Sequence, residues 1–118
     1  NKEKGRTTLA DELNTVPATL PALMYAQKMQ KRAARKGAFA QTAEDAAAAL
    51  KAAECGWEEA VPENAAERAG ALLFAAVNAM RLAGVDAEEA LTFASGRFRQ
   101  ELLQKTEDSD EQERPATV

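Results

Sequence analysis

The stretch from Glu67 to Arg81 limits most strongly what this chain can fold into. Ala69, Leu72, Leu73, Ala76, Val77 and Met80 recur at helical spacing and form one apolar stripe. Leu72, Leu73 and Phe74 are consecutive, so a helix here is apolar on more than one face. Such a helix has to be covered by other helices. The expectation is an all-α domain with this segment as its central helix.

Composition sets the terms on which that helix can be covered. The chain has 118 residues, 46% of them hydrophobic, which suits one globular domain with a modest core. Aromatics are only 5% and alanine is abundant. Small side chains let helices approach closely but remove little apolar surface from water, at roughly 25 cal/mol per Å². A single copy would be marginally stable, so an oligomer is expected. No apolar run approaches the ~20 residues of a membrane span, and no signal-peptide pattern is present. The one cysteine, Cys55, cannot form an internal disulfide and suits a reducing, cytoplasmic setting. With no histidine in the chain, the usual zinc sites are excluded, and any metal would be a hard cation such as Mg²⁺ on carboxylates. A net charge of −4 argues against the whole domain binding nucleic acid. The sequence opens at Asn1 without a methionine and reads as a fragment or a processed product.

Taken in order, residues 1–16 read as a linker, with one turn around Leu9 to Leu13. Residues 17–105 read as the helical domain. Pro21 suits a first helical turn, Leu23, Ala26, Met29 (or Gln30) and Ala33 form an apolar side, and Gly37 is a natural stop. Lys28, Lys31, Arg32, Arg35 and Lys36 form a basic side. Phosphate or nucleic-acid contact is one reading of it; a solvated face that complements the helix dipole is the commoner one. Phe39 reads as a core plug. Thr42 reads as an N-cap with Asp45 three residues on, opening a second helix to about Ala60. Trp57, near its end, is expected to pack rather than to bind. Pro62 is expected in the first turn of the central helix, which ends near Gly84. Asp86 and Glu89 resemble a capping box for a fourth helix, with Leu91, Ala94, Phe98 and Leu102 as its stripe and its end near Lys105. Residues 106–118 are acidic, contain Pro115 and read as a disordered tail. About four main helices in an antiparallel bundle are expected.

Without histidine the common nucleophile–base pairs cannot be assembled, and the six glycines are dispersed, so no phosphate-cradling loop exists. What remains is carboxylate–Mg²⁺ chemistry between facing helices. Here a resemblance carries information. Leu20-Pro21-Ala22-Leu23 and the run from Ala26 to Gly37 resemble the opening of the second domain of two-domain MazG-type nucleoside triphosphate pyrophosphohydrolases. Gly70, Leu72-Leu73-Phe74-Ala75, Val77-Asn78 and Arg81 agree with the same family, as do the run from Asp86 to Leu91 and Arg97-Phe98. Asn1-Lys2-Glu3-Lys4-Gly5 resembles the link that follows the first domain.

The resemblance implies an all-α fold, Mg²⁺ dependence, cleavage of nucleoside triphosphates to monophosphate and pyrophosphate, and homodimers completed by paired protomers. It also implies a Glu-Glu-x-x-Glu helix facing a Glu-x-x-Asp helix. Those positions fall on Ala52, Ala53 and Gly56, and on Arg68 and Ala71, none of them acidic. A shift of one residue does not restore the set, although Glu54 and Glu67 lie beside it. The family's Gly-Phe-Asp-Trp loop is here Gly37-Ala38-Phe39-Ala40, and Ser95 replaces an asparagine before Arg97, which stands where the family has a phosphate-contacting lysine. The expectation is a degenerate MazG-like domain that holds no cofactor and serves dimerisation beside an N-terminal MazG domain. Two alternatives stand next to it. One is an active, Mg²⁺-dependent enzyme acting on nucleoside triphosphates through Glu54, Glu58, Glu59, Glu63 and Glu67. The other is a non-catalytic nucleotide- or protein-binding module using the basic face or the groove between the second and third helices.

Overall fold

A computed structural model describes residues 7–39 and 42–113. Those residues form five helices and no strand: α1 (Leu9–Asn14), α2 (Ala22–Arg35), α3 (Ala43–Glu58), α4 (Ala65–Leu82) and α5 (Ala87–Glu113). The all-α expectation therefore holds. The chain divides into two units, one extending to Glu88 and the other beginning at Glu89. Among the described residues no single helix is long and apolar enough to cross a membrane.

In the first unit α4 packs against both α3 and α2, and α1 packs against α2. Alanine dominates α3, so its backbone lies close to α4 while its side chains fill little space. Among the described residues the buried apolar ones are Val16, Ala46, Val77 and Ala87. Phe39, expected as a core plug, is half-buried and meets Phe74 edge to face, ring centroids 5.8 Å apart; with Phe74 42% exposed, the pair lies at the margin of the core. Gln30, the alternative to Met29 on the apolar side of α2, is among the most deeply buried side chains, at 1% exposure.

The helix ends follow from local chemistry. Thr42 caps α3 by accepting the Asp45 N–H at 2.9 Å. Gly37 follows α2 at φ +72°, with its own N–H on the Ala34 carbonyl and the Ala38 N–H on the Ala33 carbonyl. Gly84 follows α4 in the same way at φ +80°, with the Val85 N–H on the Met80 carbonyl. Both are Schellman closures, which need a residue that tolerates positive φ.

Four expectations need correction. The turn expected around Leu9 to Leu13 is a helix, α1, with a reciprocal Thr8–Asp11 capping box, and Val16 after it is buried rather than part of a free linker. Pro62 lies before α4 rather than in its first turn, because Asn64 closes the connection by accepting the Val61 N–H. Trp57 does not pack away; it is 46% exposed at the end of α3. Finally, α5 continues past Lys105 to Glu113, through what reads in sequence as tail. No glycine or proline interrupts residues 97–114, so nothing local stops the helix. Asn1 to Gly5, Ala40 and Pro115 lie outside the described residues.

The central helix is covered on one side only. Val77 and Asn78 are buried, and Ala69, Leu72 and Ala76 are half-buried. Leu73, Phe74 and Met80 remain exposed, Leu73 at 59%. In the second unit every residue from Leu91 to Asp108 is exposed, including the stripe Leu91, Ala94, Phe98 and Leu102.

Candidate functional site

The facing pair that the resemblance singles out is α3 and α4, folded back on each other across residues 59–64. This hairpin brings Gly56 and Arg68 together. Arg68 Nη1 donates to the Gly56 carbonyl oxygen at 2.8 Å, in a part-buried position. A β-carbon built on Gly56 would meet Arg68 Cδ at 3.8 Å, so the guanidinium stem lies directly over the glycine. Two of the five positions that the resemblance assigns to acids are thus in direct contact. Of the others, Ala53 is half-buried, while Ala52 and Ala71 are exposed.

The chemistry available there is that of a fixed cation on a backbone carbonyl. A carbonyl near the C-terminus of a helix lacks an intrahelical donor and carries the negative end of the helix dipole. Arg68 supplies that donor. A Mg²⁺ ion needs several oxygen ligands and carboxylate charge to offset its dehydration. The residues at these positions supply one carbonyl and a positive charge, so they do not fit Mg²⁺.

The fallback carboxylates do not make up the difference within the chain. Glu54 and Glu67 are both exposed, as are Glu58, Glu59 and Glu63. Among the described residues no three acidic or cysteine side chains are grouped so that they could hold a metal ion. Arg97 is exposed on α5 and pairs with Glu101 one turn on, Nη2 to Oε2 at 3.3 Å.

A polar layer lies between α2 and α4. Gln30 donates from Nε2 to the Phe74 carbonyl at 2.9 Å, while its Oε1 is buried without a partner. Gln27 Oε1 accepts the Ala87 N–H at 2.9 Å, satisfying a donor in the first turn of α5. Asn78, 2% exposed, accepts from Arg81 through both Nε and Nη2, at 3.1 and 2.7 Å. Burial holds the Arg81 guanidinium below its ordinary range, because desolvation penalises the charge. Asn78 and Arg81 both belong to the resemblance, but their pairing is not legible from it. Spacing of three residues on one helix face is the signal that points to it.

The basic side of α2 splits into two parts. Lys28 and Lys31 are exposed. Arg32 and Arg35 both face Glu12 of α1, each Nη1 lying 3.6 Å from Oε1. Lys36 Nζ donates to the Thr7 carbonyl at 2.6 Å. These three residues thus contact α1, while Arg35 and Lys36 also face solvent. Glu12 escapes a reading of the sequence because it sits in a polar segment with no sustained period.

No protein-family model matches this chain, and no curated protein matches it.

Proposed function

We infer that the chain is a MazG-like helical domain that has lost its metal site and serves assembly in a nucleoside triphosphate pyrophosphohydrolase. Hydrolysis of nucleoside triphosphate to monophosphate and pyrophosphate belongs, on this reading, to a separate MazG domain. The observation that carries it is the Arg68–Gly56 hydrogen bond at 2.8 Å. It puts a guanidinium between two positions that the family resemblance assigns to metal-ligating acids. That the two positions lie in contact across the α3–α4 hairpin supports this reading.

The assembly part of the reading is supported by the apolar surface that one copy leaves open. Leu73, Phe74 and Met80 on α4 and Leu91, Phe98 and Leu102 on α5 are exposed large side chains, and few large ones are buried among the described residues. A second copy covering such surfaces would contribute the area that the alanine-rich core lacks.

Pyrophosphate release from a panel of nucleoside triphosphates with Mg²⁺ tests the catalytic part. The chain alone should release none. A variant carrying Ala52→Glu, Ala53→Glu, Gly56→Glu, Arg68→Glu and Ala71→Asp should gain Mg²⁺-dependent turnover. Turnover by the native chain that disappears with Glu54→Gln and Glu67→Gln would overturn the reading in favour of the shifted carboxylate set.

A further inference from the structure

We propose that Arg32, Arg35 and Lys36, in and just after the last turn of α2, form a binding site for the phosphate groups of a small polyphosphate ligand, and that α1 covers this site with Glu12 as a built-in competitor. Arg32 is three residues from Arg35 and four from Lys36, so it neighbours both, while Arg35 and the C-cap Lys36 are adjacent and flank it. Like charges at that spacing repel one another and favour an anion between them. Glu12 provides one from a different element, with Arg32 Nη1 and Arg35 Nη1 both 3.6 Å from the same Oε1.

The Glu12 carboxylate is hydrogen-bonded on one oxygen only, Oε2 accepting from the Thr7 hydroxyl at 3.2 Å. Its Oε1 is buried, yet at 3.6 Å from both guanidinium nitrogens it accepts no hydrogen bond. Charge-assisted hydrogen bonds to guanidinium lie near 2.7–2.9 Å. The third cation, Lys36, is turned to a neutral acceptor, the Thr7 carbonyl. A phosphate group carries more charge than a carboxylate and offers three acceptor oxygens, one for each cation. It would satisfy the two guanidiniums that Glu12 meets only at 3.6 Å, and it could draw Lys36 from the Thr7 carbonyl.

The cover is also easy to lift. Helix α1 has six residues, far fewer than a helix needs to persist alone in water. Its Thr8–Asp11 capping box is internal and does not attach it to α2. Val16, the Glu12 ion pairs and the Lys36 hydrogen bond to Thr7 are among the contacts that attach it. A small polyphosphate is favoured over nucleic acid because three cations on one turn stand in a chain of net charge −4. This site is separate from the α3–α4 hairpin and does not rest on the reading given to it.

Calorimetric titration of the intact chain with sodium tripolyphosphate at low salt tests the assignment. Glu12→Gln should bind roughly five- to thirtyfold more tightly than the native chain, the range two part-exposed ion pairs can supply. Adding Arg32→Gln and Arg35→Gln should abolish that binding. Equal affinity of the native chain and Glu12→Gln, or binding that survives the added substitutions, would overturn the proposal. A measurement on the native chain alone guards against a variant that misfolds. Saturating tripolyphosphate should accelerate amide hydrogen exchange across residues 9–16, whereas sodium chloride at matched ionic strength should not. Unchanged exchange would contradict displacement of α1, and tighter binding of a DNA oligonucleotide than of tripolyphosphate would overturn the small-ligand assignment.

Discussion

At Gly56 the backbone rather than a side chain meets the neighbouring helix, and Arg68 is the residue it meets. Arg68→Ala removes a charge-assisted hydrogen bond from a part-buried carbonyl and should destabilise the fold by about 1–2 kcal/mol in urea unfolding. Gly56→Ala should act the other way. The added β-carbon makes ordinary contact with Arg68 Cδ at 3.8 Å, and alanine in a helix gains about 0.5–1 kcal/mol over glycine. Gln30 offers a different contrast, because its Nε2 is bonded and its Oε1 is not. Gln30→Met preserves volume and relieves the orphaned oxygen, so its stability should stay within about 1 kcal/mol of the parent. Gln30→Ala leaves a cavity and should lose about 2–3 kcal/mol in the same assay. None of these pairings is legible in the sequence. Arg68 shows there as a misplaced charge, and Gln30 only as an ambiguity with Met29, since the partner in each case is a backbone carbonyl on another helix.

Among the elements, the ends that carry chemistry of their own are the legible ones. Thr42 with Asp45 and the stop at Gly37 can be read from sequence because the residue types serve the caps directly. Gly37→Ala and Gly84→Ala should each destabilise by about 1 kcal/mol or more, since both positions need positive φ; thermal unfolding checks this. The ends that depend on context are not legible. Thr8 and Asp11 cap α1, but α1 is too short to show a period and exists through its docking on α2. Pro62 suits a first turn as well as it suits the connection before it, and Asn64 decides between them by closing the turn. The far end of α5 has acidity and Pro115 to suggest a tail, yet no breaker stands between Gly96 and Pro115 to end the helix.

On the scale of the whole molecule, the amount of apolar surface left open is the dominant fact. Alanine makes the helices secure and the core small, so large side chains such as Leu73, Phe98 and Leu102 stay exposed in one copy. The all-α class is legible from periodicity. Which faces a single copy leaves uncovered is not, because the 3.6-residue pattern marks an apolar face without naming what covers it. If a second copy covers α5, Phe98→Lys with Leu102→Lys should shift a dimer to monomer in sedimentation velocity while leaving helical content unchanged. A native chain that sediments as a folded monomer would contradict the assembly reading.

The central claim, that the α3–α4 hairpin does not hold a Mg²⁺ ion, is tested most directly by Mg²⁺ titration calorimetry. The native chain should show no saturable heat. The variant carrying Ala52→Glu, Ala53→Glu, Gly56→Glu, Arg68→Glu and Ala71→Asp should show saturable binding. Saturable Mg²⁺ binding by the native chain, lost on Glu54→Gln with Glu67→Gln, would contradict the account.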